Sequence, residues 1–225
     1  MLQFGAESNL DLAQMIFDLG GVQFGQFELP GTAGNSPIYV NPRVLISEPR
    51  MLRRIGRLIN SAIASDRTRM RPHLASFAAV AGVPMGGLHI ATAYALESDT
   101  PLVFLHRQDS DETQDGIEGS ITPGQTVIVM DDLMTGGRSI LQAANRLEDA
   151  GMRVRDAIVL IDREQGGIER LKEHGYNVRP ILGLHTMLNY YHSNQLIDDR
   201  TFQRCMDYLD GFRKPRESGP LDNSV

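Results

Sequence analysis

The chain is poor in cysteine, tryptophan and lysine, and it contains no long apolar run. Among its 225 residues Cys205 is the one cysteine, and tryptophan is absent. A single thiol excludes an internal disulfide and any zinc site built from several cysteines. No apolar stretch approaches the ~20 residues that span a bilayer, and the first residues lack the basic-then-apolar pattern of a secretory signal. These absences predict a cytoplasmic protein with no membrane partner.

The positive charge of the chain is carried almost entirely by arginine. Lys172 and Lys214 are the only lysines, and the formal net charge is −6. Because there are two lysines, any reaction that needs an ammonium group has few candidates here. The negative net charge argues against nucleic acid as the main partner. The hydrophobic content of 41% is sufficient for the core of one α/β domain with small additions.

The most informative stretch is residues 126–139, which read TVIVMDDLMTGGRS. An apolar run leads into Asp131 and Asp132 (the acid pair), a Thr-Gly-Gly-Arg-Ser loop follows, and a helical pattern begins at Ile140. This order predicts a buried parallel strand, a loop and a helix start. The backbone N–H groups of such a loop suit a phosphate, whereas carboxylates suit hydroxyl groups or a hydrated Mg²⁺. Together they favour a sugar-phosphate site; the alternative is an ordinary strand-to-helix turn with a surface acid pair.

Strand and helix patterns alternate along most of the chain. A helix and a two-stranded hairpin at about residues 1–45 predict a small N-terminal hood, and about 75–185 predict the core. We expect residues 1–213 to form one domain and 214–225 a flexible tail. The alternation predicts a central, mostly parallel sheet flanked by helices. Ligands of such sheets bind at the carboxyl ends of the strands.

The segments between the hood and residue 126 carry less specific patterns. Glu48–Ile63 predicts a helix with a basic outer face, which is usually solvated but can also meet an anionic ligand or partner. Residues 65–72 predict a loop. Residues 106–116 predict a solvated loop, and we expect Ile117–Ile121 to pair with part of it as a β-ribbon. The basic face consists of Arg50, Arg53, Arg54 and Arg57.

Five stretches together resemble the orotate phosphoribosyltransferase family of type I phosphoribosyltransferases. They are FGQFEL at 24–29, SPIY at 36–39, GVPMGG at 82–87, IEG at 117–119 and DREQGG at 162–167. They occur in the family's order, and the resemblance covers roughly residues 10–185. It implies the type I phosphoribosyltransferase fold, a homodimer, and pyrimidine nucleotide biosynthesis. The implied reaction transfers ribose 5-phosphate from PRPP to N1 of orotate, with Mg²⁺ and release of pyrophosphate.

The resemblance also implies roles for individual residues. Asp131 and Asp132 would hold the ribose hydroxyls, and Arg163 would meet the orotate carboxylate or ring oxygens through its planar guanidinium. Mg²⁺ would arrive on PRPP, without a direct protein ligand. The remaining PRPP-binding residues belong to two glycine-bearing loops: Thr135, Gly136, Gly137 and Ser139 for the 5′-phosphate, and Met85, Gly86 and Gly87 for the pyrophosphate. Arg138 is unusual in the family's phosphate loop, and we expect it to add a cation there.

The chain departs from the family at two groups of cations. Residues 29–32 read LPGT where Leu-Lys-Ser-Gly is usual, and residues 106–111 read HRQDSD in place of Arg-Lys-Glu-x-Lys-Asp. Arg107 is therefore the strongest catalytic candidate of that mobile loop, beside Asp131 and Asp132. The loss of several charge-assisted bonds of ~1.5–3 kcal/mol each would slow catalysis by orders of magnitude.

Several functions stay open on these residues. The chain is either an active orotate phosphoribosyltransferase or a paralogue with weakened activity. A non-catalytic PRPP- or nucleotide-binding regulatory protein is the alternative from another class, and a phosphoribosyltransferase for another base is a further one. The intact Asp131–Asp132 motif and Arg163 favour PRPP and orotate, or a related pyrimidine, as ligands.

Overall fold

The computed structural model describes residues 9–28, 35–106, 116–120 and 122–213. Helices and strands alternate through these residues as the sequence predicts. The helices are α1 (Asn9–Asp18), α2 (Pro49–Arg67), α3 (Gly86–Ser98), α4 (Arg138–Asp149), α5 (Gly167–Glu173), α6 (Leu184–Ser193) and α7 (Asp199–Arg213), with a 3₁₀ helix at Pro42–Ser47. The strands are β1 (Val22–Glu28), β2 (Asn35–Val40), β3 (Ala79–Gly82), β4 (Leu102–Leu105), β5 (Ile117–Glu118), β6 (Thr126–Met134), β7 (Arg153–Asp162) and β8 (Asn177–Gly183).

A six-stranded sheet lies at the centre of the fold. Its order is β5-β4-β3-β6-β7-β8, and its pairs are parallel except for β4 with β5. The predicted α/β class with a mostly parallel sheet is thereby confirmed. Because β3, β6 and β7 are neighbours and parallel, their carboxyl ends at Gly82, Met134 and Asp162 lie along one edge of the sheet.

The sheet is buried on both faces. Alternate residues of each strand lie on opposite faces of the sheet, so they pack in two different apolar clusters. On β6, Ile128 and Met130 pack with the hood and with α2, α3 and α6. Val127 and Val129 pack with α4 and α5 on the other face. This alternation follows from the two-residue period of a strand. It explains why β6 reads as a continuous apolar run up to the acid pair.

The hood consists of α1 and the antiparallel pair β1–β2 in the described residues. Leu12 and Ile16 of α1 and Ile38 of β2 are fully buried, and they belong to the same apolar cluster as Ile158 of β7. The hood is therefore packed directly on the sheet. The predicted boundaries of hood, core and tail stay predictions, and residues 214–225 lie outside the described part.

The predicted loop at residues 65–72 begins too early. The helix continues to Arg67, so residues 65–67 are helical and not part of a loop. Its last turn is held by the fully buried Asp66, which accepts the backbone N–H groups of His73 and Leu74 and an N–H of Arg179, each at 2.9 Å.

The basic face of α2 is also not uniformly solvated. Arg54 is buried against α1 and forms an ion pair with Asp11, whereas Arg50, Arg53 and Arg57 are exposed. The contact depends on how α1 packs, which the pattern of α2 alone does not encode.

The predicted ribbon at 117–121 is described in part. Within residues 116–120, Ile117 and Glu118 form a strand, and they pair with Leu105 and Phe104 of β4. The loop with which they were expected to pair lies, at 107–115, outside the described residues. Among the described residues, none of the helices combines the length and apolar character needed to cross a membrane.

Candidate active site

The acid pair lies within β6 and not after it. The strand continues to Met134 because its pairing with β7 continues to Met134 opposite Asp162. Asp131 and Asp132 are consequently only 5% and 4% exposed. The sequence places them at the right edge of the sheet, but the alternative of a surface acid pair is excluded by their burial.

The carboxylates of Asp131 and Asp132 lie in one site, and the positive charge around them does not balance their negative charge. Burial raises the pKa of Asp131 well above its ordinary value, and repulsion from Asp132 raises it further. Oδ1 of Asp131 accepts the backbone N–H of Asp132 at 2.9 Å, and Oδ2 of Asp132 accepts Nε of Arg43 at 3.0 Å. Such a pair favours hydroxyl donors or a cation.

Arg43 is a site residue that the sequence reasoning missed. It lies on the 3₁₀ helix Pro42–Ser47, whose first turn is capped by Asn41, and Oδ1 of Asn41 accepts the N–H of Arg43 at 3.2 Å. The Asn-Pro pair signals a helix start, but nothing local links Arg43 to a carboxylate 89 positions away. Only the packing of this helix against β6 brings them together.

The loop at 135–139 joins the end of β6 to the start of α4. With Asp131 it lines a cavity of about 420 Å³. Gly137 adopts a φ of 74°, and a Cβ there would lie 2.9 Å from Cδ1 of Leu171, so the turn requires glycine. The predicted members Thr135, Gly136, Gly137, Arg138 and Ser139 all line this cavity.

Arg170 of α5 is a second site residue that the sequence reasoning missed. It lines the same cavity, and a Cβ on Gly136 would lie 3.6 Å from its NH1. Arg138 and Arg170 both line the cavity at the start of α4, where the first backbone N–H groups of a helix have no partner within the helix. That chemistry suits a phosphate monoester.

The turn at 85–87, at the start of α3, rests directly on β6. A Cβ on Gly86 would lie 2.3 Å from the carboxylate of Asp132, and one on Gly87 would lie 2.1 Å from the carbonyl oxygen of Met130. Both positions therefore require glycine for close approach. Met85 itself is 59% exposed. The structure thus brings this predicted loop against the acid pair.

Arg163 lies just beyond β7 and is almost completely buried. Its backbone N–H donates to the carbonyl oxygen of Met134 at 2.9 Å, and its NH2 donates to Oγ of Ser36 in the hood at 3.0 Å. Burial lowers the pKa of Arg163, and contact with Tyr208 opposes that shift. Within the described residues its Nε has no hydrogen-bond partner. A planar anion would supply one.

The segment after Arg163 is held by hydrogen bonds between Glu164 and His185. Glu164 has a φ of 56°, and its Oε2 accepts Nδ1 of His185 at 2.6 Å and the backbone N–H of His185 at 2.9 Å. His185 lies in the first turn of α6, so this contact ties the Arg163 turn to the helix layer. No sequence spacing pointed to His185 as a partner.

Arg107, the loop candidate, lies outside the described residues, as do residues 29–32. The structure does describe the two ends of the 107–115 segment. The N–H of His106 donates to Gly116 O at 2.8 Å, and Arg146 donates to His106 O and Gly116 O at 2.6 and 2.8 Å. His106 also contacts Glu118 at 2.6 Å. Both ends are therefore anchored to the core.

Comparisons with known proteins agree with this architecture. Residues 45–179 match the family model of the phosphoribosyl transferase domain, which is the class that the fold and the site define. The chain is 34% identical over 192 residues to the orotate phosphoribosyltransferase of Chlamydia caviae, with 84% of this chain and 88% of that protein covered. The chain belongs to the orotate phosphoribosyltransferase family, as the resemblance of its motifs predicts.

Solved structures show the same likeness. The orotate phosphoribosyltransferase of Aeropyrum pernix matches with a TM-score of 0.68 and 30% identity, covering 80% of this chain and 99% of that one. The UMP synthase of Leishmania donovani matches with a TM-score of 0.80 and 29% identity. This match covers 91% of the present chain but 43% of that longer one. The type I phosphoribosyltransferase fold is therefore confirmed.

Proposed function

We propose that this protein is an orotate phosphoribosyltransferase of pyrimidine nucleotide biosynthesis. It converts PRPP and orotate to orotidine 5′-phosphate and pyrophosphate. The observation that carries the proposal is that the buried Asp131 lines one cavity with the 135–139 loop. This cavity offers a carboxylate for hydroxyl groups beside N–H groups for a phosphate, and hydroxyls and phosphate are the two halves of a ribose phosphate.

PRPP binds across the carboxyl ends of β3 and β6 in this proposal. The acid pair accepts the ribose hydroxyls, and Thr135–Ser139 hold the 5′-phosphate. Arg138 and Arg170 add charge to that subsite. The 85–87 turn holds the pyrophosphate, because its glycines leave backbone amides open to an anion beside Asp132.

Orotate lies against Arg163. A guanidinium whose NH2 is fixed by Ser36 presents its remaining N–H groups in one plane, which suits the carboxylate or a ring oxygen of orotate. Burial strengthens that contact, because a paired charge is screened less in a site that water does not fill. The hood strand β2 and the turn after β7 thereby form the binding site for orotate.

In the reaction, the bond from C1 of the ribose to the pyrophosphate oxygen breaks and the bond from C1 to N1 of orotate forms. N1 loses its proton, and pyrophosphate leaves. The protein contributes mainly by positioning the two reactants and by stabilising charge. Mg²⁺ would neutralise the pyrophosphate charge. The acid pair would face such an ion through the water molecules of its hydration shell while PRPP carries it; in the described residues, no three His, Cys, Asp or Glu side chains gather into a metal site.

We further propose one domain over residues 1–213, a homodimer and a cytoplasmic location, with no nucleic-acid or membrane partner. The homodimer rests on the family alone. Weakened turnover remains the alternative for this chain because the usual loop lysines are absent from its sequence. Arg107 is then the loop residue expected to act on the pyrophosphate. A non-catalytic PRPP-binding protein, or use of another base, is the remaining alternative.

The direct test is PRPP-dependent loss of orotate with Mg²⁺, measured beside thermal stabilisation by PRPP. We expect turnover that needs all three components. Turnover within a few-fold of other family members would exclude the weakened paralogue. Stabilisation by PRPP–Mg²⁺ without turnover of any pyrimidine would favour the binding protein. If neither PRPP nor any nucleotide stabilised the chain, both functions would be excluded.

A further inference from the structure

Arg43 reaches from the surface to a buried carboxylate. Its side chain is 62% exposed, whereas that of its partner Asp132 is 6% exposed. The backbone of Arg43 is fixed by the cap from Asn41, so only the side chain needs to move for the ion pair to open. Water can solvate the exposed guanidinium when it leaves Asp132, whereas the buried carboxylate then needs another donor or cation. The contact is therefore well suited to exchange.

Arg43 is also next to the 85–87 turn. The carboxylate of Asp132 lies where the side chain of Gly86 would be, at 2.3 Å from a Cβ there, and 3.0 Å from Nε of Arg43. One carboxylate thus touches both the arginine and the turn. The guanidinium group has five N–H donors, and a rotation about its side-chain bonds moves it by several ångströms.

Binding of PRPP would give the acid pair other partners, so that the ion pair between Arg43 and Asp132 is no longer needed. In the free protein, Arg43 offsets part of the negative charge of the acid pair. When ribose hydroxyls and a hydrated Mg²⁺ reach Asp131 and Asp132, they supply the donors and the positive charge. The pyrophosphate group of the same PRPP molecule binds at the adjacent 85–87 turn. The released guanidinium of Arg43 then binds more strongly to this pyrophosphate than to Asp132, whose carboxylate already has other partners.

We propose that Arg43 is an exchanging cation of the active site. It pairs with Asp132 in the free protein and transfers to the pyrophosphate group of bound PRPP, where it stabilises the charge of the departing pyrophosphate. It thereby replaces part of the charge that the lysine-poor loop lacks. This inference rests on the proposed function, and it assigns a pyrophosphate contact to a residue outside the loops that the motifs define.

The test compares Arg43→Gln and Arg43→Lys with the matched control Arg50→Gln, an exposed arginine at the start of α2. We expect Arg43→Gln to lower kcat/KM for PRPP by about 10- to 100-fold, as expected for one charge-assisted bond, and to change KM for orotate less than threefold. Arg43→Lys should recover part of the loss because it restores the charge. Arg50→Gln should match the wild type.

Calorimetry with Mg²⁺-pyrophosphate and no orotate separates this inference from the proposed function. Wild type and Arg50→Gln should bind pyrophosphate equally, and Arg43→Gln at least tenfold more weakly at a temperature well below the Tm of each protein. If wild type turns over orotate but Arg43→Gln keeps both PRPP efficiency and pyrophosphate affinity within twofold, the exchange is wrong and the function stands. If wild type binds pyrophosphate without turnover, the same comparison still decides the role of Arg43. If wild type neither turns over nor binds pyrophosphate, both proposals are refuted.

Discussion

Replacing Asp131 by asparagine should change stability and ligand binding in opposite directions. Asparagine keeps an oxygen that can accept the N–H of Asp132, now at 2.9 Å, and it removes a charge that is buried beside another carboxylate. Each pKa unit by which the folded state disfavours ionisation corresponds to about 1.4 kcal/mol. For a chain of this length, 1 kcal/mol shifts Tm by about 2–4 °C. We therefore expect Asp131→Asn to be as stable as the wild type or more stable.

The gain should depend on pH in a defined direction. Because the pKa of Asp131 is raised in the folded state, the folded protein holds this proton more tightly than the unfolded chain does. Stability from this group is complete below the ordinary pKa of 3.8 and is lost as pH rises toward the folded-state pKa. The Tm difference between variant and wild type should therefore be larger at pH 8 than at pH 4.5.

PRPP binding should fall in the same variant. An amide in place of the carboxylate weakens one or two charge-assisted bonds to ribose hydroxyls, each contributing ~1.5–3 kcal/mol, or about 10- to 150-fold in affinity. Thermal scans at pH 4.5, 7 and 8, with and without PRPP–Mg²⁺, measure both effects. The exposed Asp149 of α4 provides the control, since Asp149→Asn makes the same chemical change away from the site. A lower Tm than wild type at pH 8, or undiminished stabilisation by PRPP, would refute the reasoning.

Three further predictions concern the base site, the 85–87 turn and the end of β7. Arg163→Lys removes the planar contact with Ser36 and should raise KM for orotate about 10- to 100-fold in steady-state assays, while an equal rise in KM for PRPP would contradict the assignment. Gly87→Ala places a methyl group 2.1 Å from Met130 O, so the free energy of unfolding measured in urea should fall by about 1–3 kcal/mol or more. The control Gly211→Ala, with nothing within 4 Å of the added methyl group, should not lower it. Burial raises the pKa of Asp162 to about 6 from 3.8, so wild-type stability should fall by up to about 3 kcal/mol between pH 4 and 6; Asp162→Asn should lack that fall, and an unchanged pH slope would count against it.

The local patterns of this chain were sufficient to predict the elements that carry the site. The apolar run, the acid pair and the glycine-bearing loop of residues 126–139 predicted β6, the loop and the start of α4. That succeeds because strand period, glycine turns and helix starts depend on neighbours along the chain. The same stretch was misread in one respect, since β6 continues through Asp131 and Asp132 to Met134. Strand length is set by pairing with β7, which is not a local property.

The partners of the site residues could not be predicted in this way. Arg43 meets Asp132 across 89 positions, and Arg163 meets Ser36 across 127. Arg54, expected in a solvated face, is buried because α1 covers it. Each contact depends on the order of strands and on the packing of helices against them, which side-chain spacing does not specify.

The sequence by itself therefore determined the α/β class, the strand, acid pair and glycine loop from which a sugar-phosphate site was predicted at residues 126–139, and the shortage of lysine in the loop that includes Arg107. These follow from residue types and short spacings, which act through local backbone geometry. Only the tertiary structure decided that the acid pair is buried, that Arg43 contacts Asp132, and that Arg170 lines the same cavity as the 135–139 loop. Charge and burial in an active site are sums over residues distant in the chain, so they become defined only when the sheet and its helices have packed.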